Sequence, residues 1–488
     1  MSGSIWMVSL RWALRLLGVV NIAILARLLT PEDFGLVAMA TAIVALTRVF
    51  FELGVDYALI RKADATSEHF DAAWTIRLVQ CLCLSLFLLI ISPHAAEYYS
   101  EPSIVDMLRV LAVGAIFQGL SNIGIVSFRK ELEFGKEFRF AVVTKAVSIG
   151  TTIALAFTLR TYWALIFGIL TANVVECVFS YLFHSYRPKV NFRSAGEIWS
   201  FSKWMITLQI ANYFSSKFDR VLLGGAVPAA QLGHYTIGIE ISQMTTSELV
   251  APVSRALVPG LAKLQHVPKR LRTAFLKTLG ATAIVTLPTG VGVILVADQL
   301  IPLALGHQWA PAIEITKIAS IYLIFATLGS ATLNIALVTG HISKVAILSL
   351  FRAIIFIILF FPLFNAAGVY GVLYLRTVIT AVYVALLITF AARIHGIPIP
   401  SIISQLWRPA LSSCAMAAVV TGWQPFSSGG LALILTTKIL LGAAVYMATS
   451  LVLWKFFGRS ADVENDIIEL LSSRVSAFRR KPPKAGAK

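Results

Sequence analysis

The sequence predicts an all-α integral membrane protein of about fourteen transmembrane helices, in two pseudo-symmetric six-helix bundles plus two C-terminal helices. Three observations predict it. Apolar runs of about 20 residues recur from end to end, each long enough to cross roughly 30 Å of hydrocarbon as a helix. Hydrophobic residues make up 58% of the chain and charged residues only 13%, with a mean hydropathy of +0.81; soluble domains lie nearer half apolar and a quarter charged. The short alternating strands of a lipid-spanning barrel are missing from the pattern.

The expected spans of the first bundle run near 5–29, 35–58, 73–92, 104–127, 138–159 and 161–184. Arg11, Arg15 and Arg27 interrupt the first run. No small-residue cleavage site follows cleanly, so it reads as a retained span and not as a signal peptide. A second set follows near 204–225, 232–257, 272–297, 312–339, 342–362 and 367–392, and a final pair near 407–425 and 430–456. The domains expected are therefore 1–196, 197–396, the extra helices of 397–457, and a basic tail of 458–488.

Weak internal matches support the two halves. Asp33-Phe34-Gly35-Leu36 opens the second span, and Gln231-Leu232-Gly233-His234-Tyr235 opens the eighth, about 198 residues later. Arg27-Leu28-Leu29 closes the first span and Arg220-Val221-Leu222 the seventh. Glu133-Phe134-Gly135-Lys136 follows the fourth and Val338-Thr339-Gly340-His341 the tenth. Six spans is an even number, so such repeats run parallel, an arrangement common in transporters that hold cargo between halves.

The net charge is +17. In a soluble chain this suggests nucleic acid, but no basic, aromatic-studded domain exists outside the spans. Retained loop arginines and lysines explain the charge instead. One set of loops carries Arg61, Lys62, Arg129, Lys130, Lys136, Arg139, Arg187, Lys189, Arg193, Lys263, Lys269, Arg270 and Arg272, and the tail adds six more. The alternate loops hold few, and one is acidic (Glu97, Glu101, Asp106). Both termini are therefore expected in the cytoplasm. The connection near 185–203 suits a helix lying on the membrane surface. The stretch near 461–478 suits anionic lipid and a solvated tail equally.

Ionisable residues inside spans usually face a cavity or a partner. Arg11 and Arg15 lie one turn apart on the first span. Arg48, Glu52 and Asp56 follow at intervals of four on the second, where Arg48 can pair with Glu52. Gln209, Asn212, Asp219 and Arg220 share roughly one face of the seventh span, and Glu240 sits on the eighth. These, Asp56 excepted, are the candidate substrate-binding residues of a wet central cavity. Glu52, Asp56 and Glu240 are the ion-coupling candidates. Guanidinium forks suit phosphate oxygens, so anionic cargo is the natural inference. Arg77, Lys145, Arg352, Arg376 and Lys438 are lone charges in other spans and read as helix-packing contacts. The four cysteines, Cys81, Cys83, Cys177 and Cys414, form no CxxC pair and read as packing residues. No nucleophile–base pair, metal cluster or phosphate-binding glycine loop is legible. No enzyme, cofactor or metal is expected.

Several motifs carry a resemblance: Ala26-Arg27-Leu28-Leu29-Thr30-Pro31-Glu32-Asp33-Phe34-Gly35, Glu52-Leu53-Gly54, Phe128-Arg129-Lys130-Glu131-Leu132 and Asp219-Arg220-Val221-Leu222-Leu223-Gly224. The chain resembles the polysaccharide transporters of the multidrug/oligosaccharidyl-lipid/polysaccharide flippase superfamily, most closely over its first 260 residues. That resemblance implies a two-lobed, alternating-access flippase of the bacterial inner membrane that moves undecaprenyl-diphosphate-linked oligosaccharide for surface polysaccharide synthesis. Expected partners are that lipid-linked oligosaccharide, membrane lipid, and the polymerase and glycosyltransferases of the same pathway. The patterns around Arg15, Arg48 and Glu52 are also similar to the lipid II flippases, where arginines at the positions matching Arg15 and Arg48 contribute to function. Asn21 departs from that pattern, standing where a further arginine is expected. The alternatives are a multidrug or small-solute cation antiporter of the same superfamily, a membrane polymerase or glycosyltransferase, and a non-transporting scaffold.

Overall fold

The computed structural model describes residues 2–51, 54–62, 65–194, 196, 210, 213–214, 217–245, 267–423 and 430–457. The α-helices among them are α1 (Ser2–Leu28), α2 (Pro31–Phe51), α3 (Val55–Arg61), α4 (Ser67–Tyr99), α5 (Ser103–Leu120), α6 (Ser127–Lys130), α7 (Phe134–Leu159) and α8 (Trp163–Phe183). They continue with α9 (Phe218–Gly224), α10 (229–245), α11 (Pro268–Ala304), α12 (Ala312–Val338), α13 (Ile342–His395), α14 (Ile399–Gly422) and α15 (Leu431–Phe457). No strand occurs among the described residues. Ten of the described helices are long and apolar enough to cross a membrane. Their outer faces leave large apolar side chains bare, among them Leu86, Ile90, Ile358 and Leu440. Hydrocarbon accepts such a surface, and helices satisfy the backbone polar groups it cannot. The protein is a multi-pass membrane protein.

Two expected boundaries differ from the observed ones. The spans near 342–362 and 367–392 are joined in α13, whose 54 residues would reach about 80 Å if straight. The run is broken by non-helical dihedrals at Ala367 and Gly368, so it has length for two passes. The span near 35–58 is interrupted at Gly54, which is non-helical: α2 is described to Phe51, 52–53 lie outside the described residues, and α3 starts at Val55. Gly54 adopts φ +62°, a left-handed value that glycine alone adopts without steric cost. Apolar residues on both sides of Gly54 hid that break. The spans near 204–225 and 232–257 lie partly outside the described residues, as does the tail of 458–488.

The helices form two compact units. The first comprises Met1–Gly238, Ile301–Ala312 and Ser349–Phe361, and the second the remainder. In the first unit α1 runs along α7, burying Leu25 and Leu29 with Ala156 and Ala164. In the second, Leu271, Phe275, Leu279 and Ala283 recur every fourth residue on α11. That spacing stacks them on one face, against Ile324, Leu328, Ala331 and Ile335 of α12. Tyr446 of α15 donates to the Ile284 carbonyl at 2.9 Å, and Lys438 reaches Gln299 at 3.1 Å. Arg376 lies over the Tyr322 ring, 4.3 Å from its centroid. The packing roles expected of Lys438 and Arg376 agree with these contacts.

The surface helix expected near 185–203 falls partly outside the described residues, with residue 196 helical. Residues 184–194 are non-helical, and 195 and 197–203 lie outside the described residues. Asp71, on the second turn of α4, accepts the Tyr186 hydroxyl and the Lys189 N–H (2.9 Å). One turn on, Thr75 accepts the Asn191 N–H at 2.9 Å. Asn122 donates to the Tyr186 carbonyl at 2.6 Å. Side chains of α4 thus satisfy the backbone groups a helix would have used, and the segment becomes a strap. Burial holds the His184 imidazole at its start below the ordinary histidine range, and burial with Asp71 pushes the Tyr186 phenol up.

Candidate functional site

The first half of the site grows from the start of α2. Thr30 precedes Pro31, which suits the first helical position because it lacks an N–H that would otherwise be orphaned there. Asp33 closes a reciprocal cap: one carboxylate oxygen accepts the Thr30 N–H and hydroxyl, both at 2.8 Å, and Thr30 Oγ1 accepts the Asp33 N–H at 3.2 Å. The other oxygen accepts the Tyr162 N–H at 2.7 Å, tying in the α7–α8 turn.

This cap places Gly35 against α10. A Cβ on Gly35 would lie 1.7 Å from the Ala229 carbonyl oxygen, and one on Gly233 would lie 1.9 Å from that of Pro31. Both pairs are reciprocal: Pro31 and Ala229, and Gly35 and Gly233, are each 198 residues apart, the register of the internal matches. Self-complementary contacts of this kind arise where like elements meet about a two-fold axis. A brace completes the junction. Trp309, fully buried, donates its indole N–H to the Ala26 carbonyl at 2.8 Å. Gln308 donates to Ala26 and Leu29 at 2.6 and 3.1 Å, and Arg27 donates to Leu303 and Ala304. Phe34 and His234 pack edge-on against the Trp309 ring.

The second half lies at the other end of α2. From Asp33 to Arg48 is fifteen residues, about 22 Å along the axis. There a cavity of about 160 Å³ is lined by Arg48, Phe51, Gly54, Val55 and Asp56 from α2, α3 and their turn, and by Arg77, Gln80, Cys81, Leu84 and Gln118 from α4 and α5. Arg48 donates to Gln118 Oε1 at 2.8 Å. Arg77 faces Asp56 at 3.7 Å across the α3–α4 gap. The break at Gly54 makes this possible: Asp56 sits on α3, not one turn further along the α2 stripe as the sequence suggested.

The expected site residues separate. Arg48 and Asp56 line this cavity. Arg11 and Arg15 are half-buried on α1 and do not line it. Asp219 is 3% exposed and accepts the Tyr235 hydroxyl. Arg220 is half-buried on α9, and Glu240 half-buried on α10 within the second unit. Glu52, Gln209 and Asn212 lie outside the described residues. Sequence reasoning read Arg77 as a helix-packing contact and passed over Gln80 and Gln118, yet all three line the cavity. The available signal was Arg77 and Gln80 three apart, on one face of an otherwise apolar run.

Known proteins agree with this picture. The chain is 23% identical over 351 residues to the lipopolysaccharide biosynthesis protein WzxC of Escherichia coli strain K12, covering 70% of each chain. It is 22% identical over 297 residues to the succinoglycan biosynthesis transport protein ExoT of Rhizobium meliloti strain 1021, covering 60% of each. It shares its fold with the lipid II flippase MurJ in an inward closed conformation, with a TM-score of 0.74 at 15% identity over 93% of this chain and all of that one. The family model described as polysaccharide biosynthesis protein matches residues 24–314. That segment spans α2, the cavity and the brace, and is more than half of the 488 residues; the chain belongs to this polysaccharide biosynthesis protein family.

Proposed function

We propose that the protein is a flippase, not an enzyme, and moves undecaprenyl-diphosphate-linked oligosaccharide across the bacterial inner membrane for surface polysaccharide synthesis. The observation that carries this reading is the cavity holding two guanidinium groups, Arg48 and Arg77, among membrane-spanning helices. Arginine forks in a partly enclosed cavity suit a diphosphate, and their charge offsets the anion's loss of hydration. A carrier built for organic cations would place carboxylates there in excess. The names borne by WzxC, ExoT and MurJ, each tied to polysaccharide synthesis, transport or lipid flipping, support the same reading.

In the proposed cycle Arg48 holds the diphosphate in the cavity, and Arg15, which does not line it, meets the diphosphate elsewhere on its path. Arg11, Gln209, Asn212, Asp219, Arg220 and Glu240 border the path of the sugar, and the lipid tail stays in the bilayer. Glu52, Asp56 and Glu240 are the groups for coupling to an ion. The lobes are 1–196 and 197–396, and the reciprocal Gly35–Gly233 crossing supports their pseudo-symmetry. With both termini cytoplasmic, the brace at the α2 start is the outer gate and the cavity opens toward the cytoplasm. The polymerase and glycosyltransferases of the pathway supply and consume the cargo.

The test is flipping in proteoliposomes loaded with undecaprenyl-diphosphate-linked oligosaccharide, comparing wild type with R15A and R48A. Loss of flipping in both, with folding intact, supports the assignment. Flipping that survives both removes Arg15 and Arg48 from the diphosphate's path. Wild-type protein that moves soluble cations and no lipid overturns the flippase reading.

A further inference from the structure

Among the described residues, two donors in the cavity lack a hydrogen bond. Arg77 Nη1 is enclosed, and no acceptor reaches it within hydrogen-bond distance; Asp56 stands off at 3.7 Å. Gln80 Nε2, three residues along the same face of α4, is also enclosed without an acceptor. Buried donors are nearly always satisfied, and an unmet one costs about 1–3 kcal/mol, more when charged. Arg48 also lines the space, and its guanidinium donates to Gln118 Oε1 at 2.8 Å. The space of about 160 Å³ is well above the roughly 10–15 Å³ that a single water needs. Two cations, an unmet amide donor and room for several oxygens define a place for a polyoxyanion. The Asp56 side chain is 45% exposed against 16% for Arg77, so the carboxylate can turn to water while the guanidinium stays.

We infer that Arg77, Gln80 and Arg48 form a binding site for a phosphate-class anion, with Asp56 as the counter-ion that the anion displaces from Arg77. This rests on the reading of a diphosphate-bearing cargo and names the groups that grip it. Arg77 is a binding residue, and Asp56 sets how strongly it binds: an empty site keeps Arg77 and Asp56 facing each other, and a loaded one frees the carboxylate.

The experiment measures binding to the purified full-length protein by calorimetry in chloride-free buffer. The probes are inorganic phosphate, inorganic pyrophosphate and farnesyl diphosphate. Wild type is expected to bind farnesyl diphosphate more tightly than pyrophosphate, and pyrophosphate more tightly than phosphate. Losing a hydrogen bond to a charged group weakens binding about tenfold to a hundredfold, the drop expected for R77Q with both diphosphates. D56N is expected to bind several-fold tighter, whereas a purely structural Arg77–Asp56 pair would give weaker binding in both variants. Equal binding by wild type and R77Q overturns the site, as does no binding by either. Equal affinity for all three probes assigns the pocket to free phosphate and overturns the lipid-headgroup assignment. Flipping of the lipid-linked oligosaccharide separates the two readings. Arg77-dependent diphosphate binding in a protein that flips nothing keeps the site and removes the cargo. Unchanged flipping and binding in R77Q keeps the cargo and removes the site.

Discussion

Replacing Gly35 with alanine is expected to open the junction at the start of α2. The new Cβ would lie 1.7 Å from the Ala229 carbonyl oxygen, where ordinary contact begins near 3.4 Å. The two backbones must part by about 1.7 Å to restore ordinary contact. His234 is tied to the Gln308 carbonyl at 3.1 Å, so the brace moves with α10. The Trp309 and Gln308 bonds to Ala26, now 2.8 and 2.6 Å, then pass beyond hydrogen-bond range. Overpacking costs about 1–3 kcal/mol, and each lost bond about 0.5–1.5 kcal/mol. A total near 3 kcal/mol changes the closed-to-open ratio by about a hundredfold. Pulsed spin-label distances read this directly, with labels on exposed Glu32 and Gln231 after both are changed to cysteine and the four native cysteines are replaced. G35A should move the main population to longer distance. G233A, whose Cβ would meet the Pro31 oxygen at 1.9 Å, should do the same. G18A is the control, because a Cβ there meets nothing within 4 Å. An unchanged distance with unchanged thermal stability in G35A would refute the reasoning.

D33A removes three hydrogen bonds, two within the α2 cap and one to Tyr162. A fall in stability of about 2–3 kcal/mol is expected in thermal unfolding. W309F keeps the buried ring and loses one donor, and should cost about 1 kcal/mol, while W309A should cost about 3–5 kcal/mol. The strap should loosen in acid. Because burial depresses the His184 pKa, its neutral form stabilises the fold above the ordinary value near 6.5, and this is lost as pH falls below it. Hydrogen exchange across 184–191 should therefore quicken below about pH 6.5, and H184N should flatten that dependence.

The apolar runs made most of the helices legible, because a span announces itself by length and hydropathy alone. The 198-residue register was legible too, in Gly35 and Gly233, and the fold brings those two residues to one crossing. The brace was not. Trp309 and Gln308 donate to backbone carbonyls of Ala26 and Leu29, and an acceptor that every residue owns leaves no mark in the sequence. Nor was the cavity complete. Reading Arg48, Glu52 and Asp56 as one helical stripe assumed an unbroken helix, which the turn at Gly54 ends. Arg77 looked solitary because its partners, Asp56 and the cavity shared with Arg48, come from other helices.

On the proposed function, lipid-linked cargo leaves the cavity only when the brace opens. That requirement is tested most directly by joining E32C and Q231C with a short bifunctional maleimide in the cysteine-replaced protein and measuring flipping in proteoliposomes. The same double variant, each thiol capped by a monofunctional maleimide, serves as the uncrosslinked control. Cross-linked protein is expected to flip no lipid-linked oligosaccharide while the capped control does. Cross-linked protein that flips at the control rate would contradict that requirement.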